Sequence, residues 1–144
     1  MKIRMGFVSN SSSSSFVVID AKKGHCELPG PLLFGEEGTT EFGWGPETVS
    51  DMYSRINFAY LQAVNNSEHL EMLEKVIHEH SGLDEEIVWN ITEEYEFKGK
   101  VWGYVDHQSA VCEGENLEIF ENEQVLKDFL FGKDSHIVLD NDNY

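Results

Sequence analysis

Basic residues are scarce: 10 Lys and Arg stand against 27 Asp and Glu in 144 residues, a formal charge of −17. No patch of Lys or Arg carries interleaved aromatics. A surface of this sign repels both a phosphate backbone and an anionic membrane, so neither direct nucleic-acid binding nor membrane binding is expected. Cysteine is nearly missing too. Cys26 and Cys112 are too few for a dense disulfide framework, and both are expected to be reduced. Long hydrophobic runs are also wanting: nothing approaches the ~20 apolar residues of a membrane span. Ser9 follows the N-terminus too soon to leave room for the apolar core of a signal peptide. Together these absences predict a soluble cytoplasmic protein.

The signatures of several chemistries are missing as well. A phosphate-binding loop places glycines and a lysine between a strand and a helix, whereas the hydroxyl-rich run here has neither. There is no GxSxG nucleophile elbow. The tail Asp140-Asn141-Asp142-Asn143-Tyr144 lacks the Gly and terminal Glu that complete a calcium loop. No paired-cysteine spacing matches a strong zinc signature.

What the chain does have is apolar material for a core: hydrophobic residues make up 40% and aromatic residues 12%. At this length a single domain buries roughly 68–70% of its unfolded surface. No internal repeat or linker divides it. The charge, however, is uneven, with 4 basic against 5 acidic residues over positions 1–45 and 6 against 22 thereafter. The later two-thirds therefore attracts a basic partner.

Hydrophobic periodicity supplies the elements. Residues 1–8 alternate as a strand, and Phe16-Val17-Val18-Ile19 reads as a second, continuously apolar one. Between Cys26 and Pro46 five glycines and three prolines exclude a long regular element, leaving an ordered loop or an edge strand. After Pro46, placed at an early helical position, Val49, Met52, Tyr53, Ile56, Ala59, Tyr60 and Ala63 recur at helical spacing. Ser67 is expected to cap a second helix with Leu70, Leu73, Ile77 and His80 inward and Gly82 at its end. Ile87, Trp89 and Ile91, then Tyr95 and Phe97, then residues 101–105 suggest three short antiparallel strands around the turn Lys98-Gly99-Lys100. Residues 117–120 suggest a fourth. A helix starting at Glu121 or Asn122 carries Val125, Leu126, Phe129 and Leu130 to a stop at Gly132, before a last strand over residues 135–139. Trp44, Trp89 and Trp102 are expected in the core or an interface. The order predicts an α+β fold: a single compact domain, residues 1–144, with a mainly antiparallel sheet packed against about three helices.

Three groups of residues are candidates for chemistry. Ser9, Asn10, Ser11, Ser12, Ser13 and Ser14 lie between two apolar segments, where a turn converges backbone N–H and hydroxyl groups on an anion or offers sites for modification. Asp106, His107 and Ser109 follow a predicted strand, and strand ends hold a proton-transferring His on a rigid support. His25, Cys26, His107 and Cys112 are the residue types that coordinate zinc or another divalent metal tetrahedrally. No cofactor is otherwise implied.

The string Arg4-Met5-Gly6-Phe7-Val8-Ser9-Asn10-Ser11-Ser12-Ser13-Ser14-Ser15-Phe16 resembles the N-terminus of a loose group of uncharacterised proteins encoded by bacteriophages and prophages. Gly103-Tyr104-Val105-Asp106-His107-Gln108-Ser109 resembles a phrase found in some of them. The resemblance covers about a ninth of the chain. It implies an accessory protein in an infected or prophage-carrying bacterial host and brings no catalytic roles with it. The expected function is contact with a basic host or phage protein, including competition with nucleic acid for it. The alternative is a small metal- or nucleotide-dependent hydrolase using the serine-rich turn and His107.

Overall fold

The structure is a computed structural model and describes residues 2–6, 16–43, 46–105 and 118–139. Strand β1 (Lys2–Gly6) pairs antiparallel with β2 (Phe16–Asp20), from Lys2 opposite Asp20 to Gly6 opposite Phe16. The unbroken apolar run of β2 is explained by its place inside a four-stranded sheet, where Val17, Val18 and Ile19 are all buried. On its other side lies the C-terminal strand β10 (His136–Leu139), whose Ile137 and Leu139 point inward. The sheet is completed by β5 (Glu47–Val49), antiparallel to β10.

That last strand corrects the expected helix after Pro46. Val49 has its backbone opposite Ile137 in the sheet, and the helix α1 (Met52–Ala63) starts later. The reason is local: the Asp51 carboxylate accepts hydrogen bonds from the Ser54 N–H at 2.9 Å and the Ser54 hydroxyl at 2.8 Å, closing the first turn there. The predicted stripe Ile56, Ala59, Tyr60 and Ala63 is buried, but so are Ser54, Arg55, Asn57, Phe58 and Leu61. A helix buried all round needs partners for its polar side chains. Asn57 Nδ2 donates to the carbonyls of Glu37 and Thr39, and Ser54 Oγ accepts from the Thr39 N–H at 2.8 Å. These bonds hold the glycine-rich loop against α1.

The second helix α2 (Ser67–Ser81) is capped by Asn66, not Ser67: the Asn66 side-chain oxygen accepts from the N–H groups of Glu68 and His69. Gly82 ends it at φ 70°, the left-handed region that glycine adopts without a Cβ clash. Leu73, Val76 and Ile77 form its buried stripe. Helix α3 (Glu123–Phe131) is capped by Asn122, one of the two residues expected to begin it, and buries Leu126, Phe129, Leu130 and Phe131. The three helices pack on one another, with α3 against β2.

Short parallel ladders cover α1 from the other direction. β3 (Leu33–Phe34) pairs with β6 (Val88–Trp89), β7 (Ile91–Thr92) with β8 (Val101–Trp102), and β4 (Glu41–Phe42) with β9 (Tyr104–Val105). The loop between Cys26 and Pro46 thus contributes two strands. The three strands expected to be antiparallel are not: two successive turns, with positive φ at Glu96 and Gly99, return the chain beside Ile91 in the same direction. Tyr95 and Phe97 sit in those turns. Residues Glu118–Phe120 form a single 3₁₀ turn instead of a strand. The core between the layers is aromatic, with Tyr60 stacked on Trp89 at 4.4 Å and Phe42 edge-on to Phe58. The whole is one compact α+β domain, a mixed set of strands packed on three helices.

Candidate functional site

Of the sequence-derived candidates, His25 and Cys26 are described; Ser9, Asn10, Ser11, Ser12, Ser13, Ser14, Asp106, His107, Ser109 and Cys112 lie outside the described residues, as does Trp44. His25 and Cys26 sit where the chain bridges to Gly132 beyond α3. The Cys26 N–H donates to the Phe131 carbonyl at 2.6 Å. His25 Nε2 is 2.8 Å from Asp128 Oδ1, an oxygen that also accepts from Gln124 Nε2 at 2.9 Å. His80 reaches over from the last turn of α2, with Nε2 donating to the Cys26 carbonyl at 2.7 Å and its ring stacked on Phe131 at 3.9 Å. Among the described residues no group of three His, Cys, Asp or Glu side chains is placed to hold a metal ion.

Beneath this cluster lies Arg55, 1% exposed. Its Nη1 donates to the carbonyls of Phe129 at 2.8 Å and Gly132 at 2.7 Å, at the end of α3 where backbone oxygens have no helical partner. The negative end of the α3 dipole therefore receives a cation. No described carboxylate lies within ion-pair distance of the guanidinium. Burial lowers the Arg55 pKa, opposed by the charge and side-chain hydrogen bonding of Cys26 and less by Asp51. Nε of Arg55 has no hydrogen-bond partner.

A second feature is on the surface. The large hydrophobic side chains exposed among the described residues are Val88 (48%), Tyr95 (72%), Phe97 (46%) and Val101 (37%), all within one stretch of fourteen positions. The same stretch and its approach carry exposed Asp84, Glu85, Glu86, Glu93, Glu94 and Glu96 against Lys98 and Lys100. Its aromatic groups are not loose. Tyr95 meets Trp102 edge-on at 5.1 Å, Trp102 Nε1 donates to the Glu93 carbonyl at 3.3 Å, and Lys100 Nζ stands 5.6 Å from the Phe97 ring centroid. The turns that break the expected strand pattern are what put Tyr95 and Phe97 outside. Trp89, by contrast, is held inward, its Nε1 donating to Glu74 at 2.8 Å.

Sequence reasoning missed Arg55, Asp128 and the exposed turns at 93–100. For Arg55 a signal existed: it is one of two arginines in the chain and falls inside an apolar helical stripe. The acids flanking Tyr95 and Phe97 were equally visible, though an alternating pattern concealed their exposure. No family model, curated protein or solved structure matches the chain.

Proposed function

We propose that this protein acts by binding a basic protein through the surface at residues 84–101. One observation carries the reading: the exposed large hydrophobics of the described residues are confined to a segment rich in carboxylates. Scattered single apolar residues are ordinary on a surface, whereas several of them in one segment where carboxylates outnumber lysines suit an interface with a cationic partner. Tyr95 and Phe97 supply anchors that exclude water and give the complex its lifetime. Glu93, Glu94 and Glu96 steer a cationic partner and raise its rate of encounter. A partner that itself binds nucleic acid has the required charge, and occupying it would displace the nucleic acid. This fits an accessory protein of phage or prophage origin.

The test uses three forms of the immobilised chain: wild type, Glu93→Gln with Glu94→Gln and Glu96→Gln, and Tyr95→Ala with Phe97→Ala. At low salt the wild type retains a stoichiometric basic protein from bacterial extract and releases it at high salt. Both variants are expected to lose it. Equal retention by all three forms contradicts the proposal.

A further inference from the structure

We infer that the surface proposed above selects arginine over lysine, seating the guanidinium groups of its partner on an aromatic row formed by Tyr95, Trp102 and Tyr104. This rests on the reading of residues 84–101 as a site for a basic protein and names the chemical group recognised there. The short ladders run into one another: Asn90, between β6 and β7, donates its N–H to the Phe34 carbonyl and accepts at its own carbonyl from the Val101 N–H, while the Tyr104 N–H donates to the Thr40 carbonyl. All the strands so joined are parallel. Side chains alternate across such a surface, and Phe34, Trp89 and Phe42 take the side of α1, in ring contact with Tyr53, Tyr60 and Phe58. Val88, Asn90 and Thr92, with Trp102 beside Thr92 and Tyr104 beside Glu41, therefore occupy the opposite side. A parallel sheet ordinarily carries a layer on each face, so an outward face set with aromatic rings is a place for another molecule.

The rings form a continuous row. Trp102 meets Tyr95 at 86° on one side and lies 4.8 Å from Tyr104, tilted by 38°, on the other. Its Nε1 bond to the Glu93 carbonyl fixes the indole in that position, so no rotamer freedom has to be given up when a partner arrives. Carboxylates border the row: exposed Glu41 is paired with Tyr104 in the ladder, exposed Glu36 accepts from the Asn90 side chain at 3.2 Å on the same face, and exposed Glu93 and Glu94 lead into Tyr95. The lysines that follow lie in the next turn, with Lys100 already placed over Phe97. Charge complementarity thus calls for a cation, and the rings decide which. A guanidinium is planar and weakly hydrated, so it lies flat on an indole or phenol face while its N–H fork reaches a carboxylate at the side. An ammonium is a strongly hydrated point charge that the carboxylates attract but that gains less from the rings.

The experiment uses the full chain and two fluorescent peptides of equal length and charge, one alternating arginine with serine and the other lysine with serine, with affinities read by anisotropy at low salt. The arginine peptide is expected to bind about fivefold more tightly. Trp102→Leu should bring its affinity down to that of the lysine peptide, which itself stays unchanged. Equal affinities in the wild type, or an undiminished preference in a folded Trp102→Leu chain, overturn the inference. Should that variant fail to fold, Tyr95→Leu at the most exposed ring of the row takes its place, with the same loss of preference expected and the same persistence overturning it. Equal binding of both peptides that disappears in the Glu93→Gln, Glu94→Gln, Glu96→Gln chain overturns the selection of arginine and leaves the acidic site standing. Binding of neither peptide overturns both.

Discussion

His69 lies flat against Phe120, ring centroids 4.6 Å apart and 2° from parallel, and its Nδ1 is buried without a partner. Burial lowers its pKa below the ordinary histidine value, opposed in part by Glu68. The unfolded chain therefore takes up the proton first as pH falls. His69 contributes its stability in full above about pH 6.5, and that contribution is lost as pH descends from there toward the folded-state value. Urea unfolding measured from neutral pH downward should show stability decreasing below about pH 6.5, with a shallower decrease in His69→Gln. The same slope in both would contradict the assignment. Gly132 is constrained by space instead of charge: a Cβ there would lie 2.7 Å from both the Asp20 carbonyl and the Ser135 hydroxyl and would also meet the Asp128 carbonyl. Gly132→Ala should cost about 1–3 kcal/mol in urea unfolding, the usual range for forcing atoms into a packed site. The sequence marked Gly132 as a helix stop, and part of the crowding comes from its own neighbours Asp128 and Ser135, but the approach of the distant Asp20 carbonyl is invisible locally.

Helix ends were readable where one side chain decides them. Gly82 and Asn122 do what their residue types suggest, because a left-handed glycine and a side-chain acceptor act on their own neighbours. Asn66 and Ser67 are both good caps, and the chain uses the first. Asn66→Ala should therefore destabilise by about 1 kcal/mol, whereas Ser67→Ala, inside the first turn, should cost clearly less. A larger loss for Ser67→Ala in urea unfolding would refute the assignment of the cap. Residues 47–49 were harder to read, since Val49 fits the helical period of α1 as well as it fits a strand. Pairing with β10, some ninety positions away, decides the matter. The parallel ladders of β3 with β6 and β4 with β9 were hidden for the same reason: register between distant segments leaves no local pattern. Of the way these elements are joined, only the α+β outline, set by the sum of periodicities, was legible.

Over the whole molecule, chemistry-bearing residues are assembled from far apart. His25 meets Asp128 across 103 positions and Arg55 reaches Gly132 across 77, so no spacing rule could have found that cluster. Cys26 was nameable from its residue type and Arg55 from its place in an apolar stripe, but not that both reach the end of α3. The charge asymmetry, by contrast, was plain in the sequence, and Tyr95 and Phe97 lie outside among Glu93, Glu94 and Glu96, three of the carboxylates that make it up. The interface proposed here has a salt signature: association should slow as ionic strength rises, and the Glu93→Gln, Glu94→Gln, Glu96→Gln chain should lose most of that dependence. The Tyr95→Ala, Phe97→Ala chain should instead dissociate faster while keeping its salt dependence. The most direct measurement is amide hydrogen exchange on the chain with and without its captured basic partner. Protection concentrated at residues 84–101 is the expected result. Protection elsewhere, with those residues exchanging as they do in the free chain, would contradict binding through this surface.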